Sequence, residues 1–248
     1  MLKKQLAIVI AILTGIGLQA LAYGQMPATG QSAASQTNRD LVKVAFVVTE
    51  RFNLLDVAGP WSVFSAAAHP KEGKKWEEGD RLFQTYLVSD TTEALHSTAG
   101  MLITPAYTFK DAPKPDIVVV GAQNGNPPEL YDWLKKENAD GATVMSVCVG
   151  VVKLANLGIL DGKYATSHHD YIDRYEEAFP KVHWLRNRRY VRSSDNVLTS
   201  GGDGFSGIDL ALHLVDLRFG RTVAQGTADY LEYHSDEWKQ DDRVTQTK

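Results

Sequence analysis

Two kinds of apolar run alternate along this chain. Val42 to Thr49 (VKVAFVVT), Asp116 to Val120 (DIVVV) and Val144 to Val147 are short and mostly apolar, the pattern of strands buried on both faces of a parallel sheet, and Phe83 to Ser89 reads as another strand. Tyr164 to Ser167, Val182 to Leu185 and Val197 to Thr199 read as further short strands, and Gly100 to Tyr107 as an extended piece or hairpin arm interrupted by Pro105. Helical patterns lie between them. One follows turn chemistry at Asn53 to Pro60 and runs from Trp61 to Ala68; another, Glu129 to Glu137, follows the polar Gly/Asn/Pro loop Gly121 to Pro128. Val149 to Leu157 ends at Gly158, and Tyr171 to Phe179 is a fourth helix. Ile208 to Phe219 places Ile208, Leu210, Ala211, Leu214, Val215 and Leu217 at helical spacing and closes at Gly220. Strands alternating with helices predict a doubly wound α/β sandwich, whose ligands bind at the carboxyl ends of the strands. Gly121 and Cys148 are both expected at that edge.

The amino-terminal stretch changes the picture of where the fold begins. Lys3 and Lys4 precede an apolar run from Leu6 to Leu18 and then Ala20-Leu21-Ala22, the order of a secretory signal peptide. The run is shorter than the roughly 20 residues of a membrane span, so cleavage after Ala22 and a periplasmic or secreted protein are expected, with no stable membrane association after cleavage. A retained segment would instead act as an anchor. Residues 23–40 are rich in Ser, Ala, Gln, Thr and Gly and read as a flexible leader; the folded domain is expected over 41–236, with a polar tail over 237–248. That domain is long enough to bury a core without covalent staples.

Charge and cysteine count narrow the chemistry. The formal net charge is −4 and the chain holds a single cysteine. Scattered Lys and Arg give no basic block for nucleic acid, and the Arg186 to Arg192 run (RNRRYVR) reads as a solvated loop or edge strand rather than a phosphate site. An exported chain with one cysteine has no internal disulfide and carries its thiol into an oxidising compartment.

Cys148 falls where the strand before it meets the helix after it, in TVMSVCVGVVKLANLGILDG. There a side chain projects from the sheet edge, and the amino end of a helix favours a thiolate. The other reading of Cys148 is a small buried hydrophobe. A nucleophile needs an oxyanion site and an acid or base. Backbone N–H groups of Gly121 or Ala122 and of Val149 are candidates for the first, Gly121 being equally readable as a tight turn. Asp56, among Leu54, Leu55 and Val57, is the candidate acid or base; an N-cap for the next helix is its alternative. His168 or His169 could approach the thiol across the edge, although a capping or surface role suits His169 before Asp170. His213 reads as a satisfied, partly buried residue of its helix. No Cys/His/carboxylate spacing matches a metal motif, TSHHD being the nearest approach, and no cofactor is expected. Phe52, Trp61 and Phe205 could line a pocket but read more simply as core.

Three segments together resemble a known family: Leu55-Asp56-Val57-Ala58-Gly59-Pro60 with Val63-Phe64, SVCVGVVKLANLGILDGKYATSHH, and TSGGDGFSGIDLALHLVDLRFG. They are similar to the PfpI/ThiJ superfamily with the class I glutamine amidotransferase-like fold, over roughly Val42 to Tyr233, and most like the branch of isonitrile hydratases and AraC-type ligand domains. The resemblance implies a flavodoxin-like three-layer sandwich, usually a homodimer, with Cys148 at a nucleophile elbow. In hydratases of this branch the carboxylate matching Asp56 works with the cysteine to convert an isonitrile to an N-substituted formamide. Those hydratases carry Thr after the cysteine and the protease-like branch carries His. This chain has Val149, which offers only its backbone N–H. His168 matches the histidine of the A-T-x-H pattern, as a catalytic or supporting residue. The expected function is an exported cysteine-dependent hydratase or hydrolase of a small molecule. The alternative is a non-catalytic small-molecule-binding or cysteine redox-sensing module of the same fold.

Overall fold

A computed structural model describes residues 41–202 and 204–244. The signal and leader expected over residues 1–40 lie outside these. Among the described residues no helix is long and apolar enough to cross a membrane.

Seven strands form the central sheet: β1 (Val42–Val47), β2 (Phe83–Ser89), β3 (Tyr107–Thr108), β4 (Ile117–Val120), β5 (Thr143–Ser146), β6 (Tyr190–Ser194) and β7 (Val197–Ser200). Their spatial order is β6-β7-β5-β4-β1-β2-β3, and every neighbouring pair is parallel except β6 with β7. The continuous apolar runs are explained by the two faces they serve. Val44, Phe46, Val119 and Met145 point into one core, Ala45, Val47, Val118 and Val144 into the other. The first face is covered by α1 (Leu54–Ala66), α5 (Phe205–Phe219) and α6 (Arg221–Tyr230). The second is covered by α2 (Pro128–Ala139), α3 (Val151–Asn156) and α4 (Ile172–Ala178). This is the expected three-layer, mostly parallel α/β sandwich.

Several local readings are corrected. The first helix starts at Leu54 rather than at Trp61, because the Asn53 Oδ1 accepts the N–H groups of Leu55 at 3.0 Å and Asp56 at 3.4 Å. Pro60, read as part of a turn, lies inside that helix. Tyr164–Ala165 pairs with His183–Trp184 in a separate two-stranded ribbon, outside the central sheet. The sequence reading omitted α6. Within the described part of the polar tail expected from residue 237, Trp238 is fully buried, and the Tyr190 hydroxyl donates to the Trp238 carbonyl at 2.8 Å. Phe205, a candidate for pocket or core, is 58% exposed, whereas Phe52 is buried and Trp61 packs on Phe46 with ring centroids 5.0 Å apart.

Candidate active site

Strands β1, β4, β5 and β7 all deliver their carboxyl ends to one edge, where Gly121 and Ala122 follow β4 and Cys148 follows β5. The Val147 N–H donates to the Val120 carbonyl at 2.9 Å, so β5 stays paired one residue past its formal end. The next residue, Cys148, turns with φ +56°, and the chain enters a helical turn over Cys148–Gly150 that runs on into α3. A positive φ costs a non-glycine residue about 1–3 kcal/mol and persists only where the surroundings impose it. Here they do. The Gly150 N–H donates to the Val147 carbonyl at 2.9 Å, and the Ser167 hydroxyl donates to the Cys148 carbonyl at 3.0 Å. Gly150 lies so close to β4 that a Cβ there would strike the Val120 carbonyl oxygen and come within 2.8 Å of Gly121. Cys148 is 4% exposed. Burial pushes the Tyr175 phenol up to about 12, and the charge of a Cys148 thiolate adds to that shift, so ring and sulfur lie within electrostatic range.

Asp56 is fully buried in the first turn of α1. Its Oδ2 accepts the Ala122 N–H at 2.8 Å, while the Asn53 N–H donates to the Ala122 carbonyl at 2.7 Å. The helix start is thus stitched to the loop after β4. Gly121 is the joint between the two halves of the site. A Cβ on it would lie 2.7 Å from the Asp56 Cβ, and its own backbone is what Gly150 presses against. The carboxylate and the elbow therefore both pack against one glycine. Of the N–H groups considered for an oxyanion site, that of Ala122 is engaged by Asp56. The Val149 side chain is half-buried against both cores, leaving its backbone at the start of the helical turn.

The loop after β4 is braced from two further directions. The Thr49 hydroxyl donates to Gln123 Oε1 at 2.8 Å, and the Lys153 ammonium donates to the Gly125 carbonyl at 2.9 Å and to Asn126 Oδ1. Lys153 is 5% exposed, and burial alone pushes it down to about 8. Sequence reading passed over Lys153, Ser167 and Tyr175. A lone charge within the apolar VVKLA stretch was the available signal for Lys153. Nothing local marks the other two.

His168 is placed as a cap: its Nδ1 accepts the Asp170 N–H at 3.3 Å, and its ring stacks on His169 with centroids 4.5 Å apart. Its neighbour Ser167 donates its hydroxyl to the Cys148 carbonyl at 3.0 Å. Ligand atoms of His168, His169 and Asp170 lie within 4.8 Å of one another, but His169 and Asp170 are exposed and His168 Nδ1 is already engaged. His213 is buried, with Nε2 2.9 Å from Asp242. The arginine-rich run divides into a loop and the edge strand β6. Arg186, Arg188 and Arg189 line a cleft of about 390 Å³ together with Ser167, Gly202 and Ser206.

Comparison with known proteins fits this geometry. The DJ-1/PfpI family matches residues 42–217. The isonitrile hydratase of Pseudomonas putida is 28% identical over 197 residues, which cover 77% of this chain and 78% of that enzyme. The HTH-type transcriptional regulator GbdR of Pseudomonas aeruginosa is 26% identical over 200 residues, 79% of this chain; the chain spans only about half, 52%, of the regulator. The crystal structure of a ThiJ/PfpI family protein from Pseudomonas syringae superimposes with a TM-score of 0.65 at 24% identity, covering 87% of this chain and 85% of that one, and shares its flavodoxin-like fold. With its family match spanning both Asp56 and the Cys148 elbow, the chain belongs to the DJ-1/PfpI family.

Proposed function

We propose that this protein is a cysteine-dependent hydratase of a small carbon–nitrogen compound, with an isonitrile as the first substrate to test. The observation that carries the reading is the packing of Gly121 between Asp56 and Gly150, which joins a buried carboxylate to the turn bearing Cys148. In this scheme the Cys148 sulfur attacks the terminal carbon of R–N≡C, and the proton passes through Asp56 to that carbon, giving the thioimidate R–N=CH–S–Cys. Water then adds to the same carbon, with Asp56 taking one of its protons and passing it to the nitrogen; the C–S bond breaks as the remaining hydroxyl proton goes to the leaving sulfur, and the formamide R–NH–CHO departs with the thiol restored. The Val149 N–H, at the start of the helix, is the donor proposed to face developing negative charge. The named hydratase among the relatives supports this reading.

A second reading is a ligand-binding module without turnover, favoured by the match to transcriptional regulators. Incubation with a small alkyl isonitrile, followed by NMR detection of the formamide, separates the two. The first reading expects turnover that falls by roughly 10²–10⁴-fold in Cys148→Ala and Asp56→Asn. Binding of the isonitrile with no formamide, unchanged in Cys148→Ala, is the outcome expected of the second. Export, a homodimeric state and independence from nucleic acid complete the proposal. The lysine-led apolar leader supports the first of these, and the regulators among the relatives weigh against the last. Amino-terminal sequencing of the protein recovered from cells tests the expected cleavage after Ala22.

A further inference from the structure

A charge buried without a countercharge is expensive, and Lys153 is one. Its side chain is 5% exposed, and among the described residues it forms no ion pair. A methionine would fill a similar volume without the cost, several kcal/mol in general, of desolvating an ammonium group. The bonds it makes all run to one place. Its amine meets the Gly125 carbonyl at 2.9 Å and Asn126 Oδ1, both in the loop after β4, and sits 6.0 Å from the centre of the Tyr131 ring. The Gly125 carbonyl also receives the Thr49 hydroxyl at 3.4 Å. Lys153 stands on α3, five residues beyond Cys148, and the loop it grips begins with the Gly121 and Ala122 backbone that packs on Asp56 and donates to it.

We propose that Lys153 is a positioning residue: its ammonium clamps the loop after β4 onto the helix that follows the elbow, and through the loop holds the Ala122 N–H on Asp56. The inference builds on the reading of Asp56 and Cys148 as one site, but the geometry it concerns exists whether or not isonitriles are turned over. Charge-assisted hydrogen bonds are about twice as strong as neutral ones, so loss of the proton weakens the clamp without abolishing it. Among the described residues the ring facing the amine is the Tyr131 phenol, and burial is the cause of the lysine's lowered affinity for the proton.

The Ala122 amide reports on this directly. In two-dimensional NMR of the isotopically labelled protein, its proton is expected downfield and protected from solvent exchange at pH 7, and its shift is expected to move with a midpoint near pH 8. In Lys153→Met the titration disappears and exchange of that amide quickens about tenfold, a loosening of the order expected for one hydrogen bond. Asn126→Ala, at an exposed loop position, is expected to act in the same direction with a smaller effect. An Ala122 amide that keeps its shift, protection and pH dependence in a folded Lys153→Met protein overturns the proposal. Should that variant not fold, a flat wild-type titration with an unperturbed Asn126→Ala does the same. Failure to hydrate isonitriles bears on the catalytic reading and leaves these amide signals untouched.

Discussion

A single backbone angle does most to define the site. Cys148 occupies the left-handed region because the residues around it leave no other path: β5 remains paired to β4 through Val147, and Gly150 tucks under the end of β4. Gly150→Ala tests this. Its methyl group would enter the space of the Val120 carbonyl, and overpacking of this kind costs about 1–3 kcal/mol. The expected result is a thermal midpoint lowered by several degrees, together with altered iodoacetamide reactivity at Cys148; an unchanged melting curve would show that the elbow can relax. At this scale the sequence was informative about identity and silent about contact. A lone cysteine before a glycine, between an apolar strand and a helix, marks an elbow. That Asp56 is an in-helix residue held by Ala122, and not a cap, depends on a partner 66 positions away. No local pattern carries that distance.

Elements show the same division. Strands β1, β4 and β5 were legible because parallel strands buried on two faces are apolar at nearly every step. The start of α1 was missed because Asn53 and Pro60 look like turn residues, although one caps the helix and the other falls within it. Helix α6 was missed because its buried side comprises only Val223, Ala224, Thr227 and Ala228, too small and polar a set to announce itself. The carboxyl-terminal segment was misread for a related reason: its anchors are polar. The Arg192 N–H donates to the Asp242 carbonyl at 2.8 Å, and the Asp242 carboxylate receives Arg192 at 2.7 Å and His213 at 2.9 Å. Burial would raise this carboxyl, but the His213 and Arg192 hydrogen bonds outweigh it and hold it at about 2. A carboxylate whose affinity for protons is lower in the folded state stabilises the fold above the ordinary value of 3.8 and loses that contribution as the pH falls through about 2. Urea unfolding is therefore expected to show a stability decline between pH 4 and pH 2 that is smaller in Asp242→Asn. At pH 7 that variant should be less stable by about 1–3 kcal/mol, since a neutral amide oxygen replaces the charged acceptor shared by Arg192 and His213. Parallel pH profiles for the two proteins would show the segment to be held by other contacts.

Across the whole molecule, the sandwich was readable from periodicity alone, and the edge at which chemistry would sit followed from the direction of the strands. What periodicity could not give is the convergence of that edge, where the segments after β1, β4 and β5 are tied by Thr49, Lys153, Asn53 and Ser167. The elbow is held by hydrogen bonds to its main chain and by glycines that admit no side chain, and these holds do not run through the sulfur. Reactivity and architecture are consequently separable here: a scaffold built this way can trade one functional group for another, or retire it in favour of recognition alone, while the joint that presents it stays intact.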